Sequence, residues 1–218
     1  MSHILKKLKT LMHTYSHAWV LLYAFIYFPW FTYLERHVTD NYFVIHSIFD
    51  DYIPFCEYFI IPYLLWFAYI AVTLGYLFFN DKQGFYKASA IMFSGMTIFL
   101  IICTVFPNGL NLRPEVFTRD NFCIELVKRI YQTDTPTNVL PSLHVYNSIC
   151  CYIAISHCEK LQHSRLIQKG SLIILSTMFL KQHSVVDVVA ACVMAYFMYS
   201  LIYAQEGAKS PRLARQVI

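Results

Sequence analysis

The stretch ASAIMFSGMTIFLIICTVF, Ala88 to Phe106, carries no Asp, Glu, Lys or Arg from end to end. An α-helix needs about 20 mainly apolar residues to cross the hydrocarbon layer, so this segment reads as a membrane span. Outward from it, five more segments come close to that length: Ala18 to Leu34, Tyr58 to Phe79, Val139 to Ser156, Leu166 to Leu180 and Val185 to Ala204. The composition agrees, with 57% hydrophobic and only 14% charged residues and a mean hydropathy of +0.46, values outside the soluble range. The expected fold class is therefore all-α: a polytopic bundle of six transmembrane helices in a single domain over residues 1–218.

The remaining features exclude several classes. Seven cysteines show no CxxC and no paired spacing, and most sit in apolar runs where a thiol behaves as a small hydrophobe, so neither a disulfide framework nor a zinc site is expected. A net charge of +4 reads as cytoplasmic-side lysine and arginine rather than a nucleic-acid footprint, and no nucleic-acid module is visible. The basic start, Met1 to Thr10, with the apolar run behind it imitates a secretory signal, but that run is too long and aromatic and lacks a cleavage site, so it reads as an uncleaved first span.

Loop charge gives an orientation. With a cytoplasmic N-terminus, that side carries Lys6, Lys7, Lys9, Lys82, Lys87, Lys160, Arg165, Lys169, Lys209, Arg212 and Arg215. The other side has Arg36, Arg113, Arg119, Lys128, Arg129 and Lys181. The positive-inside rule then places both termini in the cytoplasm. Between the third and fourth spans, Arg119 to Tyr131 mixes apolar residues with charges and reads as a short amphipathic helix at the interface.

Three polar groups recur at the outer face of this layout: Arg113-Pro114, Pro141-Ser142-Leu143-His144, and Lys181-Gln182-His183 with Asp187. Ionisable groups at the apolar layer are expensive and suggest function. A phosphate ligand would account for each. Arg113 offers a planar fork of donors and Lys181 a compact positive charge. Pro141 suits the first turn of a helix, which puts Ser142 where free amides and the helix dipole favour an anion. His183 and Asp187, on one helical face or across a tight turn, would let the carboxylate hold one imidazole nitrogen and free the other for attack. His144 is then a second imidazole for acid–base work. Ser176 would share a face with His183 if the helix continued, as a phosphate donor or simply bonded to a backbone carbonyl. Asp50-Asp51-Tyr52-Ile53-Pro54 reads first as a solvated acidic loop, with a role in shaping the head-group pocket as the alternative.

Arg113-Pro114, Pro141-Ser142-Leu143-His144 and Ser176-Thr177-x5-His183-x3-Asp187 resemble the three signatures of the type-two phosphatidate phosphatase superfamily, Lys-x6-Arg-Pro, Pro-Ser-Gly-His and Ser-Arg-x5-His-x3-Asp, in order and spacing. Three positions depart: Phe106 stands for the lysine, Leu143 for the glycine and Thr177 for the arginine. The Lys-Gln-His variant looks like the branch of inositol phosphorylceramide synthase-like proteins. The resemblance implies a lipid phosphate or diphosphate phosphatase working at the extracytoplasmic face without metal or other cofactor. In it His183 is the nucleophile, Asp187 its orienter, His144 the general acid, and Arg113, Ser142, Lys181 and Ser176 the phosphate-binding groups. A lipid head-group phosphotransferase and a non-catalytic lipid-phosphate binder stand as the alternatives. The implied partner is a lipid phosphate in the bilayer.

Overall fold

The computed structural model describes residues 13–38, 41–164 and 166–203, together with Lys7 and Thr10; for 166–169 only the backbone is described. Most of the basic start Met1 to Thr10, Ala204 at the end of the sixth expected span, and the orientation-setting cations Lys6, Lys9, Arg165, Lys209, Arg212 and Arg215 lie outside the described residues, as does the Lys169 side chain.

The described chain is mostly helical. A 3-10 segment, Ser16–Tyr23, runs into α1 (Ala24–His37), followed by the short α2 (Ile48–Tyr52). A 3-10 turn, Glu57–Phe59, leads into α3 (Ile60–Asn80), and α4 (Lys82–Val105) follows at once. The amphipathic helix is α5 (Phe122–Thr133), shifted slightly toward the C-terminus from its expected place because Asn121 accepts from the Ile124 amide and sets its first turn there. Then come α6 (Leu143–Ser156), α7 (Leu166–Phe179) and α8 (Val185–Ile202).

Among the described residues, three helical stretches are long and apolar enough to cross a membrane: Glu57–Asn80, Lys82–Val105 and Val185–Ile202. The first and fourth expected spans are not continuous α-helices, and the fifth is one helix of fourteen residues that ends one residue before Leu180. The first divides between the 3-10 segment and α1, within which Pro29 cannot donate to a helical carbonyl. The fourth begins its helix only at Leu143, because Ser142 caps it, and the fifth stops at Phe179, ahead of the polar turn that follows. A small parallel pairing that the sequence did not suggest, β1 (Phe43–Val44) with β2 (Asn108–Gly109), ties the loops at the site end together. Buried Asn108 extends it by accepting from the amides of Val139 and Leu140.

At the centre, α6 packs against α3, α4, α7 and α8 and is buried along most of its length. Its Tyr146 is fully buried, donates its hydroxyl to the Ile91 carbonyl at 2.7 Å, and lies over Gly95 of α4. A Cβ on Gly95 would overlap that ring. Gly75 of α3, in contrast, has nothing within 4 Å of such a Cβ. In an α-helix Gly→Ala ordinarily gains up to about 1 kcal/mol, and Gly75→Ala is expected to follow that rule. Gly95→Ala is expected to reverse its sign, with overpacking of about 1–3 kcal/mol exceeding the propensity gain. Thermal unfolding of the two variants in detergent checks this, and equal melting temperatures would refute the close α4–α6 approach.

Candidate active site

The C-terminal ends of α4 and α7 and the N-terminal ends of α6 and α8 meet at one end of the bundle, which brings the three polar groups together. Ser142 is the N-cap of α6: its Oγ accepts from the Val145 amide at 3.3 Å, and its own N–H donates to the Asp187 carbonyl at 3.2 Å. One backbone bond thus joins the second polar group to the third. Pro141, expected in the first helical turn, instead lies just before the cap, after a cis Leu140-Pro141 peptide. Ser142 is fully buried.

His144, one residue into α6, is held by rings of α3. Its imidazole stacks on Tyr63 at 4.7 Å between centroids and packs at 4.3 Å against Trp66. These two are three apart and so share one face of α3.

His183 does not continue α7. The helix ends at Phe179, Lys181 takes a positive φ of 54°, and the amides of Gln182 and His183 both donate back to the Thr177 carbonyl. Ser176 therefore does not share a helical face with His183; its hydroxyl is buried and donates to the Ile173 carbonyl at 2.6 Å. Ser184 then caps α8 in a reciprocal box, its Oγ accepting from the Val186 amide while its N–H donates to Asp187 Oδ2 at 2.9 Å. The same oxygen lies 3.5 Å from His183 Nδ1. This is ion-pair reach without hydrogen-bond alignment, and among the described residues neither His183 Nδ1 nor Asp187 Oδ1, both buried, has a hydrogen-bond partner. On its other side, His183 Nε2 is 3.4 Å from His144 Nδ1. Asp187, His183 and His144 thus form a continuous row across a helix cap, the tight-turn arrangement rather than one helical face.

Arg113 reaches the row indirectly. Nη1 donates to the Tyr131 carbonyl at 3.1 Å, and Nη2 donates to the Asp134 carbonyl at 2.8 Å and to Gln182 Oε1 at 2.5 Å, with the guanidinium over the Tyr131 ring. Burial pulls this guanidinium below its ordinary value, and nearby Asp134 opposes the shift. Lys181 Nζ donates to the Asp50 carbonyl at 2.6 Å. Burial likewise lowers its pKa from the usual lysine value, against the opposing charges of Asp50 and Asp51. Asp50 itself is 2% exposed, so the solvated-loop reading fails for it while Asp51 does face solvent.

A cavity of about 570 Å³ opens from the two imidazoles between α1, α3 and α4. Its wall is mostly apolar, with Tyr27, Phe31, Phe67, Leu74, Met92 and Phe93, and its site end carries Gln182, Asn138, Thr135, Asp134 and Glu35. Glu35 accepts from Thr135 Oγ1 at 2.5 Å and from Asn138 Nδ2 at 3.0 Å. Sequence reasoning missed Glu35 and Asp134 because nothing local marks them; they meet the site only through folding of the 134–138 segment against α1. The lining includes no Lys or Arg among the described residues.

A family model described as the PAP2 superfamily matches residues 88–211, more than half of the chain. The match takes in α4 from Ala88 onward and α5 to α8, and leaves out α1 to α3. No curated protein and no solved structure gives a significant match.

Proposed function

The chain belongs to the PAP2 superfamily, whose members are in general phosphoryl hydrolases or transferases, and from that premise we propose that it is a lipid phosphate or diphosphate phosphatase acting through a phosphohistidine on His183. The row Asp187–His183–His144 carries this reading. A small rotation of the His183 ring closes the 3.5 Å gap to Asp187 and leaves Nε2 as the attacking atom, the nucleophile–base–orienter logic of covalent catalysis. The phosphoryl group takes the place of the contact between the imidazoles, since 3.4 Å is too short to hold phosphorus and an in-line oxygen between them. Nε2 then bonds to phosphorus as the bond to the lipid oxygen breaks, His144 protonates that oxygen, and afterwards His144 takes a proton from the water that cleaves the N–P bond.

Arg113, bonded to Gln182 of the 181–185 turn, and Lys181 within it contribute positive potential to the phosphoryl oxygens as charge develops on them, and Ser142 aims the start of α6 at the same place. Ser176 has no part in this scheme, because its proton is held by Ile173. The apolar chamber takes the lipid tail.

The membrane layout proposed with it has six crossings, both termini cytoplasmic and the site on the extracytoplasmic side. The first segment supports this: its 3-10 and α parts, Ser16–Tyr23 and Ala24–His37, add to about 37 Å at the rises of the two helix types, enough for a layer of about 30 Å. In a background with Cys56 and Cys123 replaced by serine, Thr118→Cys on the exposed stretch before α5 is expected to react with an impermeant maleimide in intact cells. Reaction only after permeabilisation would invert the layout.

A head-group phosphotransferase is the second reading, favoured by the chamber wall. Among the described residues it bears Glu35 and Asp134 but no Lys or Arg, a poor setting for a monoester phosphate of charge roughly −1.5 to −2 and a better one for a singly charged diester. Purified protein given phosphatidate, prenyl diphosphate, phosphatidylglycerophosphate and a singly charged glycerophospholipid diester, each with and without a ceramide-type acceptor, decides between them. The phosphatase releases free phosphate from a monoester or diphosphate in water alone; a transferase gives a new lipid only when the acceptor is present, and neither product would overturn both.

A further inference from the structure

We propose that Asp50, in the short helix α2, is a positioning residue for His183, holding the 181–185 turn in register through Ser184; the inference rests on the phosphohistidine reading above. Asp50 lies outside the residues matched by the family model, and 133 positions separate it from the nucleophile in sequence. Its carboxylate is buried, 2% exposed, and each oxygen meets donors. Oδ1 accepts from the Val185 amide at 2.8 Å. Oδ2 accepts from the Ser184 hydroxyl at 2.6 Å and from the Ser47 amide at 2.8 Å. Its carbonyl accepts from Lys181 Nζ at 2.6 Å. The short helix α2 therefore grips the turn on both sides of His183, and a further backbone bond, Cys56 N–H to the Phe179 carbonyl at 3.0 Å, seats the end of the same loop at the start of that turn.

The path to the nucleophile is short. Ser184 gives its hydroxyl proton to Asp50 and its amide proton to Asp187 Oδ2, and that oxygen faces His183 Nδ1. Fixing Ser184 thus fixes the carboxylate that orients the imidazole. The anionic Asp50 also suits the positive end of α8. Every group facing its carboxylate is a donor, so an asparagine there would set its NH₂ against an N–H or O–H and break one of the three bonds. A shift of about 1 Å in a reacting group can cost on the order of a hundredfold in rate, so a loosened turn should appear in the chemical step rather than in lipid binding.

The test uses the full chain in detergent with radiolabelled phosphatidate as probe, comparing Asp50→Asn, Ser184→Gly and Ser47→Ala. Ser184→Gly removes the hydroxyl link, keeps the amide to Asp187, and costs the helix only a few tenths of a kcal/mol, so it reports even if Asp50→Asn does not fold. Ser47→Ala strips the cap of the same short helix, where Ser47 Oγ accepts from Phe49 N, and leaves the Asp50 to Ser184 bond in place. The expected result is phosphoenzyme formation at least about tenfold slower in Asp50→Asn and several-fold slower in Ser184→Gly, with KM within about twofold, and a near-normal rate in Ser47→Ala. Normal rates in Asp50→Asn or Ser184→Gly, or an equal loss in Ser47→Ala, would overturn the positioning role while leaving the phosphohistidine intact. Phosphate release by the unaltered protein with no trapped phosphoenzyme would instead overturn the phosphohistidine reading and this inference with it.

Discussion

His183→Ala is expected to trap no phosphate and to lose activity by about four to six orders of magnitude, the scale seen when a covalent nucleophile is deleted. The expectation follows from the row at the bundle end: His183 Nε2 is the nitrogen left free once Asp187 holds Nδ1. No other imidazole among the described residues has a buried carboxylate behind it. His46 pairs with Asp51, but both are exposed. His144→Ala separates the two roles. Protonation in the transition state chiefly helps a poor leaving alcohol, so with an activated aryl phosphate this variant is expected to form the phosphoenzyme yet turn it over slowly, having no base for water. Rapid quench and trapping on both variants measures this. Trapped phosphate on His183→Ala and none on His144→Ala would exchange the roles, and none on either, with the unaltered protein still turning over, would point to direct attack by water.

Arg113→Ala is expected to be the most damaging change to the fold. Its guanidinium satisfies the Tyr131 and Asp134 carbonyls and Gln182 Oε1 together, and Gln182 in turn donates to Asp134 Oδ2. Hydrogen bonds to a charged group are worth about 1.5–3 kcal/mol each, and stranding buried acceptors adds to the loss. With several partners lost at once, a destabilisation of about 3–5 kcal/mol is expected, seen as loss of monodisperse protein or a large fall in melting temperature. Arg113→Lys keeps the charge but has no planar fork, so it should restore little of the lost stability. If Arg113 served only to contact phosphate, both variants would melt like the unaltered protein and differ from it in turnover alone.

The glutamine side chain that links Arg113 to the 181–185 turn shows how the legible and illegible parts of this site divide. Arg113, His144, His183 and Asp187 stand out in sequence because each is a polar group at the edge of an apolar run, where its cost makes it conspicuous. Glu35, Asp134 and Asp50 carry no such mark, and Gln182, though within the polar group Lys181-Gln182-His183, shows no role of its own in sequence. Asp50 looked like part of a solvated loop because neighbouring acids in a polar stretch usually are; its burial depends on a turn far along the chain.

Sequence by itself determined the helical class, the existence of apolar membrane-length segments, and the end of the bundle at which the polar groups gather, because hydropathy and polar spacing are local properties written residue by residue. It overreached at α6, where the apolar run from Val139 was taken as helix and Ser142 instead caps a helix that begins at Leu143, and it placed α7 to within one residue, Phe179 against Leu180. Only the tertiary structure decided that His183 lies across a helix cap from Asp187, that Ser176 turns inward to its own helix, and that Asp50 closes over the 181–185 turn. Those outcomes depend on which distant donor meets which acceptor. Pairings of that kind are settled when helices pack, since a buried polar group must find its partner wherever the fold puts one.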